Sequence, residues 1–423
     1  MPKMIDPSAI ERPIEKGDEW GAVDAFLAAV DAGLPLESLY LTAEHLGARR
    51  YDYETPAPTL PHGMITVNAA WGLREFVRGE DELMTFALAQ GFANLAMEHR
   101  AFERARTIAR RPVRGLAIND LANLVVEKVE KGDIAEADGA FASLIERSEG
   151  DRTLIARSFF TAGAQDLQNW GHKGTFAAHL WQFCERDGFQ DIFNALRPGL
   201  HYFAAFGSRD EKRQIERHSA ELDVGSVKHG RQLAGAQGEV EALANRMLAG
   251  GSTKAVVEAL QGGFGLEDVV DASVLAACEA IRHSMKPQMA VEALAYAHSS
   301  RIAARATGPA CLLPIFQAAA WVHECASTRE VTPPPQRAPI VPRTAATFAL
   351  VEDFHTSQGH LVKTTEAALS ERAGGPGWMA GYLDAALMQA TTIVPSSRTL
   401  LERFQDRLKV PEALRAVRLA PPA

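Results

Sequence analysis

Four histidines stand at the head of similar stretches: His62 opens HGMITVNAAW, His172 opens HKGTFAAHLW, His298 opens HSSRIAARAT and His360 opens HLVKTTEAAL. Each is followed by small, helix-compatible residues rich in Ala and Thr, and in the first two Trp71 or Trp181 stands nine places later. Imidazoles carried by similar helices can meet at one point, and a metal needs such a set to be neutral and rigidly held. Lys363 follows His360 by three residues, so both project from neighbouring positions on one helix face. An ammonium group would repel a cation. A neutral amine, or a carbamate made by carboxylation, would instead supply a ligand, and the carbamate would also offset metal charge. Imidazoles joined by one oxygen donor suit Fe(II) or Mn(II), whereas zinc usually takes fewer ligands. The pattern predicts a metal centre built from His62, His172, His298, His360 and Lys363, with Lys363 as its catalytic side chain.

The chain has 13 histidines, so most must be ordinary core or surface residues. His45, His99, His218 and His229 belong to that background, and the bulky apolar neighbours of His201 and His323 predict satisfied core histidines. His355, in EDFHTSQGH, competes with His360 for the same place in the ligand set. Trp71, Trp181 and Trp378 are candidate stacking partners for an aromatic substrate, although a Trp is more often a plain core residue.

Other chemistries lack their residues. AGGSTKA (249–255) does not have Walker spacing, and QGGFG (261–265) follows no strand and misses a third glycine. There is no GxSxG elbow and no HExxH, since His323-Glu324 lacks its second histidine. The four cysteines, Cys184, Cys278, Cys311 and Cys325, are widely spaced within apolar stretches and read as buried free thiols. A net charge of −9 argues against nucleic acid, and the basic run RARTIARRPVR (104–114) has no interleaved aromatics and reads as a solvated helix end. No apolar run reaches membrane-spanning length and the first residues lack a signal-peptide core, which predicts a cytoplasmic protein.

The elements that must position the histidines are helices. Aromatics are only 7% of the chain and Ala is abundant, a composition that suits close helix packing better than sheets. Residues 21–50 read as two helices around a Gly-Leu-Pro turn, and 254–282 repeat that layout around Gly263. The expected fold is all-α, a large multi-helical body with an internally duplicated helix-pair unit. An N-terminal half (1–230) and a C-terminal half (231–423) would pack as one body. MITV (64–67) and TIV (392–394) are too short for strands. REVTPPPQRAPIVPR (329–343) carries five prolines and reads as a linker or surface strap, the strap fitting better if all four histidines meet. AGGPGWMAG (373–381) reads as a loop near a site mouth.

LPHGMITVNAAWGL (60–73), WGHKGTFAAHLW (170–181), AHSSRIAARA (297–306) and GHLVKTTEAAL (359–369) together resemble the histidine-led segments of questin oxidase-like proteins. Their order, the chain length and the helical character are also similar. The resemblance implies oxidative ring opening of polycyclic aromatic or polyketide-type molecules. It also implies non-haem iron held by histidines and a carboxylated lysine. Carried onto this chain, His360 and Lys363 are the firmest ligands, followed by His62 and His298 and then His172. The expected function is an Fe(II)-dependent oxygenase, with NADPH a candidate reductant, a small aromatic substrate, and Ala-rich faces that would permit a homodimer. The alternatives are a metal-free helical enzyme using Lys or Asp as acid and base, and a non-catalytic helical scaffold.

Overall fold

The computed structural model describes residues 7–50, 61–99, 113–148, 150–165, 167–205, 222–233, 236–351 and 359–394. Among them are 18 α-helices and no strand, only an isolated bridge between Lys228 and Gly265. In chain order the helices are α1 (Pro7–Glu15), α2 (Glu19–Asp31), α3 (Leu36–Arg50), α4 (His62–Leu73), α5 (Asp81–His99) and α6 (Ile118–Glu130). Next come α7 (Ile134–Arg147), α8 (Arg152–Gly163), α9 (His172–Arg186), α10 (Ile192–Ala205), α11 (Gln237–Leu248) and α12 (Ser252–Gln261). The last are α13 (Leu266–His283), α14 (Pro287–Thr307), α15 (Leu313–Cys325), α16 (Pro342–Val351), α17 (His360–Gly374) and α18 (Ala380–Ile393). The fold is all-α, as the composition predicts.

Local signals account for the helix ends. Asp18, Asp133 and Asp151 each turn a side-chain oxygen back onto a backbone N–H of the first turn, at α2, α7 and α8. Pro287 begins α14, where its missing N–H costs nothing. Both sequence-matched segments form a helix pair, α2–α3 and α12–α13, with Gly33 and Gly263 at positive φ in the turns.

α14 lies at the centre of the molecule. It packs against α13 and α15, and against α8, α9 and α17, so helices from both ends of the chain meet on it. α17 in turn packs on α4, and α4 on α9. One hydrophobic core continues from Ile10 to Val394. Alanines let these backbones approach closely, and α14 is buried on nearly every side. It nevertheless carries buried Glu292, His298 and Arg301, which must therefore find partners inside the protein.

The proline-rich segment before α16 is a strap. Thr332 and Pro333 accept from Arg282 through their carbonyls, and the Ile340 N–H donates to Asp384. All four cysteines are buried free thiols. Among the described residues, no helix is long and apolar enough to cross a membrane.

Candidate metal centre

Three of the four histidines do begin helices: His62 is the first residue of α4, His172 of α9 and His360 of α17. The preceding residue sets each start. Gly171 and Gly359 adopt the left-handed conformation (φ 77°, ψ 10° and φ 69°, ψ 6°), and Pro61 precedes His62. Left-handed backbone favours glycine, and space demands it as well: a Cβ on Gly171 would lie 2.6 Å from the Tyr296 ring, and one on Gly359 would overlap the Thr66 hydroxyl. None of the three helices has a side-chain cap from its own N-cap residue. At α4 the gap is filled from α5, where Glu98 Oε1 accepts from the Gly63 N–H at 2.6 Å. Burial pushes the Glu98 carboxyl up to about 8, against the pull of its bonds to the Gly63 and His62 N–H groups. Thr66 and Thr364 back-bond to the carbonyls of His62 and His360, one turn earlier, which fixes those first turns.

The three imidazoles converge. Ring centroids lie 5.1 Å apart for His62 and His172, 5.5 Å for His62 and His360, and 5.9 Å for His172 and His360. Nε2 of His62 is 3.2 Å from Nε2 of His172, and Lys363 Nζ is 3.1 Å from that same His172 atom. Glu292 enters from α14. Its Oε2 lies 2.8 Å from Lys363 Nζ and 3.8 Å from His172 Nε2, while its Oε1 bonds Nδ1 of His360. His172, Glu292 and Lys363 are fully buried, and His62 and His360 are partly so.

This crowding dictates the protonation. Burial, then His172, Lys363 and His360, hold the His62 imidazole neutral, well below its ordinary range. Burial also lowers the Lys363 ammonium, with Glu292 opposing it. Burial alone would raise the Glu292 carboxyl, but Lys363, His360 and His172 outweigh it and keep the group ionised, well below the usual carboxylate range. The result is a neutral His62 imidazole beside an ionised, buried carboxylate. His172, Glu292 and His360 each offer one ligand atom, all within 4.8 Å of one another. Two imidazoles and one carboxylate are a donor set of non-haem Fe(II) and of catalytic zinc sites, so these residues fit a divalent transition metal.

His62, His172, His360 and Lys363 thus come together, and His298 does not join them. It lies mid-helix in α14, eleven residues after Pro287, because nothing before it breaks the helix: Ala297 precedes it, where glycine or proline precedes the others. Its Nδ1 bonds Glu371 Oε1 at 2.8 Å, and its Nε2 faces Glu366 Oε2 at 3.8 Å. Glu371 is itself clamped by Arg301. His355 and His218 lie outside the described residues, as does most of the basic run 104–114. His201 is a core histidine bonded to Asp138 at 2.8 Å, whereas His323 is exposed and its Nδ1–H donates to the Leu248 carbonyl at 3.1 Å.

The tryptophans are engaged elsewhere. Trp71 and Trp181 stand nine residues along their helices, about 14 Å from the histidines. Trp71 stacks on Tyr40, Trp181 packs against Phe160 and Phe189, and Trp378 meets Tyr382 edge-on. The AGGPGWMAG loop lies at the C-terminal end of α17, opposite His360, and so is no mouth to this centre. Glu292 escaped the sequence reading. Its signal was a lone carboxylate among apolar residues, Val291 before it and Ala293-Leu294 after it. The chain matches no family model, no curated protein and no solved structure.

Proposed function

We propose that this protein is a metal-dependent oxygenase, holding non-haem iron through His172, His360 and Glu292, with His62 and Lys363 completing the surround. The observation that carries this reading is the convergence of three imidazoles and a carboxylate at a buried point, with ligand atoms of His172, Glu292 and His360 within 4.8 Å. The two-histidine, one-carboxylate set serves non-haem iron and catalytic zinc alike, and iron is preferred here from the resemblance of the histidine-led motifs. The substrate class, an aromatic or polyketide-type small molecule opened by oxidation, comes from the resemblance of the histidine-led motifs, and NADPH as reductant belongs to the same expectation. Bound there, Fe(II) would supply the means of activating O₂.

The chain's own residues do the rest. Burial keeps His62 neutral, which leaves one of its ring nitrogens a lone pair for a ligand bond. Glu292 brings the negative charge that a divalent cation needs. Lys363 cannot remain an ammonium beside a cation, and its burial already favours the amine. Reaction of that amine with CO₂ releases a proton and leaves a carbamate, which would bring an oxygen donor in place of a positive charge.

Metal analysis of the purified protein, prepared aerobically and anaerobically, tests the reading. Stoichiometric iron or manganese that is lost in Lys363→Ala and retained in His323→Ala is expected. Protein without stoichiometric metal in either preparation would overturn it. One observation favours a second reading: the 2.8 Å contact between buried Lys363 and Glu292 is the geometry of a metal-free acid–base pair. That reading predicts metal-free protein whose activity survives chelators.

A further inference from the structure

A cleft of about 500 Å³ opens at the other end of α4, lined by Trp71, Arg74, Arg78 and Met84 and, from the last turn of α9, Arg186. Its volume is that of a small-molecule site. Glu75 and Asp81 also reach it, both exposed, while Arg186 is half-buried, so the deepest charge is positive. Among the described residues none of these charged side chains forms an ion pair.

Arg186 is the informative member. Its Nη1 donates to Asn68 Oδ1 at 2.5 Å, to the Asn68 carbonyl at 3.2 Å and to the Tyr40 hydroxyl at 3.3 Å. All three acceptors are neutral, and the Glu366 carboxylate acts on the guanidinium only from beyond ion-pair distance. The buried carboxyl of nearby Glu44 does not supply a counter-charge, because burial raises it well above the usual range. A half-buried cation fixed through one nitrogen keeps the rest of its planar fork for an oxyanion. Beside it Trp71 stacks on Tyr40 at 4.7 Å, and Arg74 lies 4.6 Å from the Trp71 ring centroid. Val77 and Met84 are almost wholly buried behind this layer, so the surface the cleft presents is mainly polar.

We propose that this cleft binds a small organic anion, with its carboxylate or phosphate oxygens on Arg186 and Arg78 and its body against the Arg74 guanidinium that covers Trp71. Occupancy does not require a metal at the histidine centre, so the two sites can be tested separately.

Calorimetric titration of the full chain with 1-naphthoate, 1-naphthyl phosphate and the neutral 1-naphthylmethanol tests the site. The two acids distinguish a carboxylate ligand from a phosphate one. At least one acid should bind with a Kd below about 1 mM, and the alcohol at least about tenfold more weakly. Added salt should weaken the acid and leave the alcohol unchanged. Arg78→Gln, at an exposed position, should cost about fivefold in acid binding. Arg186→Lys keeps the charge but loses the fork, and should cost about tenfold with metal content unchanged. The proposal is overturned if no acid binds by about 10 mM, if the alcohol binds as well as the acids, or if Arg78→Gln binds like the parent.

Discussion

α14 and α17 carry two buried polar clusters side by side, and they are finished differently. Around His298 every charge is answered. Arg301 donates to both oxygens of Glu371 and, at 2.6 Å, to Asp271; Arg231 holds the other side of Asp271; and His298 bonds Glu371. Arg301 and His298 outweigh burial and hold the Glu371 carboxyl well below the usual range. Around His172 nitrogen faces nitrogen: His62 Nε2 and Lys363 Nζ both approach the same ring atom, with a single carboxylate nearby. The first cluster pairs each carboxylate with a cation inside the protein, leaving only His298 Nε2 and Arg301 Nη1 without a hydrogen bond. The second gathers three imidazoles, an amine and one carboxylate about a single point, the grouping that a cation could occupy. Histidine at a helix head is thus less diagnostic than what stands opposite it.

Removing one member from each cluster separates them most sharply. Arg301→Met would leave buried Glu371 with only His298 and Asp271 with only Arg231, so a loss of about 3 kcal/mol in urea unfolding is expected. His172→Ala should lose far less stability in the same assay, yet weaken metal retention by at least about 100-fold. His298→Ala should keep its metal. If His298→Ala empties the protein of metal while His172→Ala does not, the assignment of the two clusters is reversed.

The sequence made one of these clusters legible and hid the other. Period and composition were enough for all-α, and Gly171 and Gly359 before His172 and His360 marked true helix starts. Ala297 before His298 carried the opposite message, and the similarity of the following residues masked it. Glu292 stands 68 residues from His360 in sequence, and only the packing of α14 on α17 brings them together. No local pattern encodes that. Whether Glu371 meets an arginine or a metal was equally a matter of tertiary pairing, since its spacing on α17 is the same in both cases.

A smaller effect tests the backbone that delivers the histidines. Gly359→Ala would force a side chain into left-handed backbone and against Thr66, at a cost of about 1–3 kcal/mol. Because His360 is the next residue, metal binding should weaken by about tenfold at the same time. An Ala variant that matches the parent in both melting temperature and metal content would show that the α17 start does not position His360.

The smallest expected effect concerns pH, where the two clusters should slope in opposite directions. Glu98, which supports the His62 end of α4, is pushed up from 4.5 to about 8 in the folded chain. Between those values the folded state holds a proton that the unfolded chain has released. Its contribution is therefore full below about pH 4.5 and is lost as the pH rises towards 8. Glu371 is held down instead, so its contribution is present above the ordinary carboxylate range and is lost on acidification. Glu98→Gln keeps the acceptor for the Gly63 N–H and removes the titration. The variant should gain about 1 kcal/mol on the parent between pH 5 and 8, a figure reduced for the part of Glu98 that water reaches. Its acid limb should stay unchanged, since that limb belongs to Glu371 and its arginine. Parallel stability curves for parent and variant across pH 5–8 would mean that Glu98 is ionised in the folded protein, and that α4 is capped by a charge.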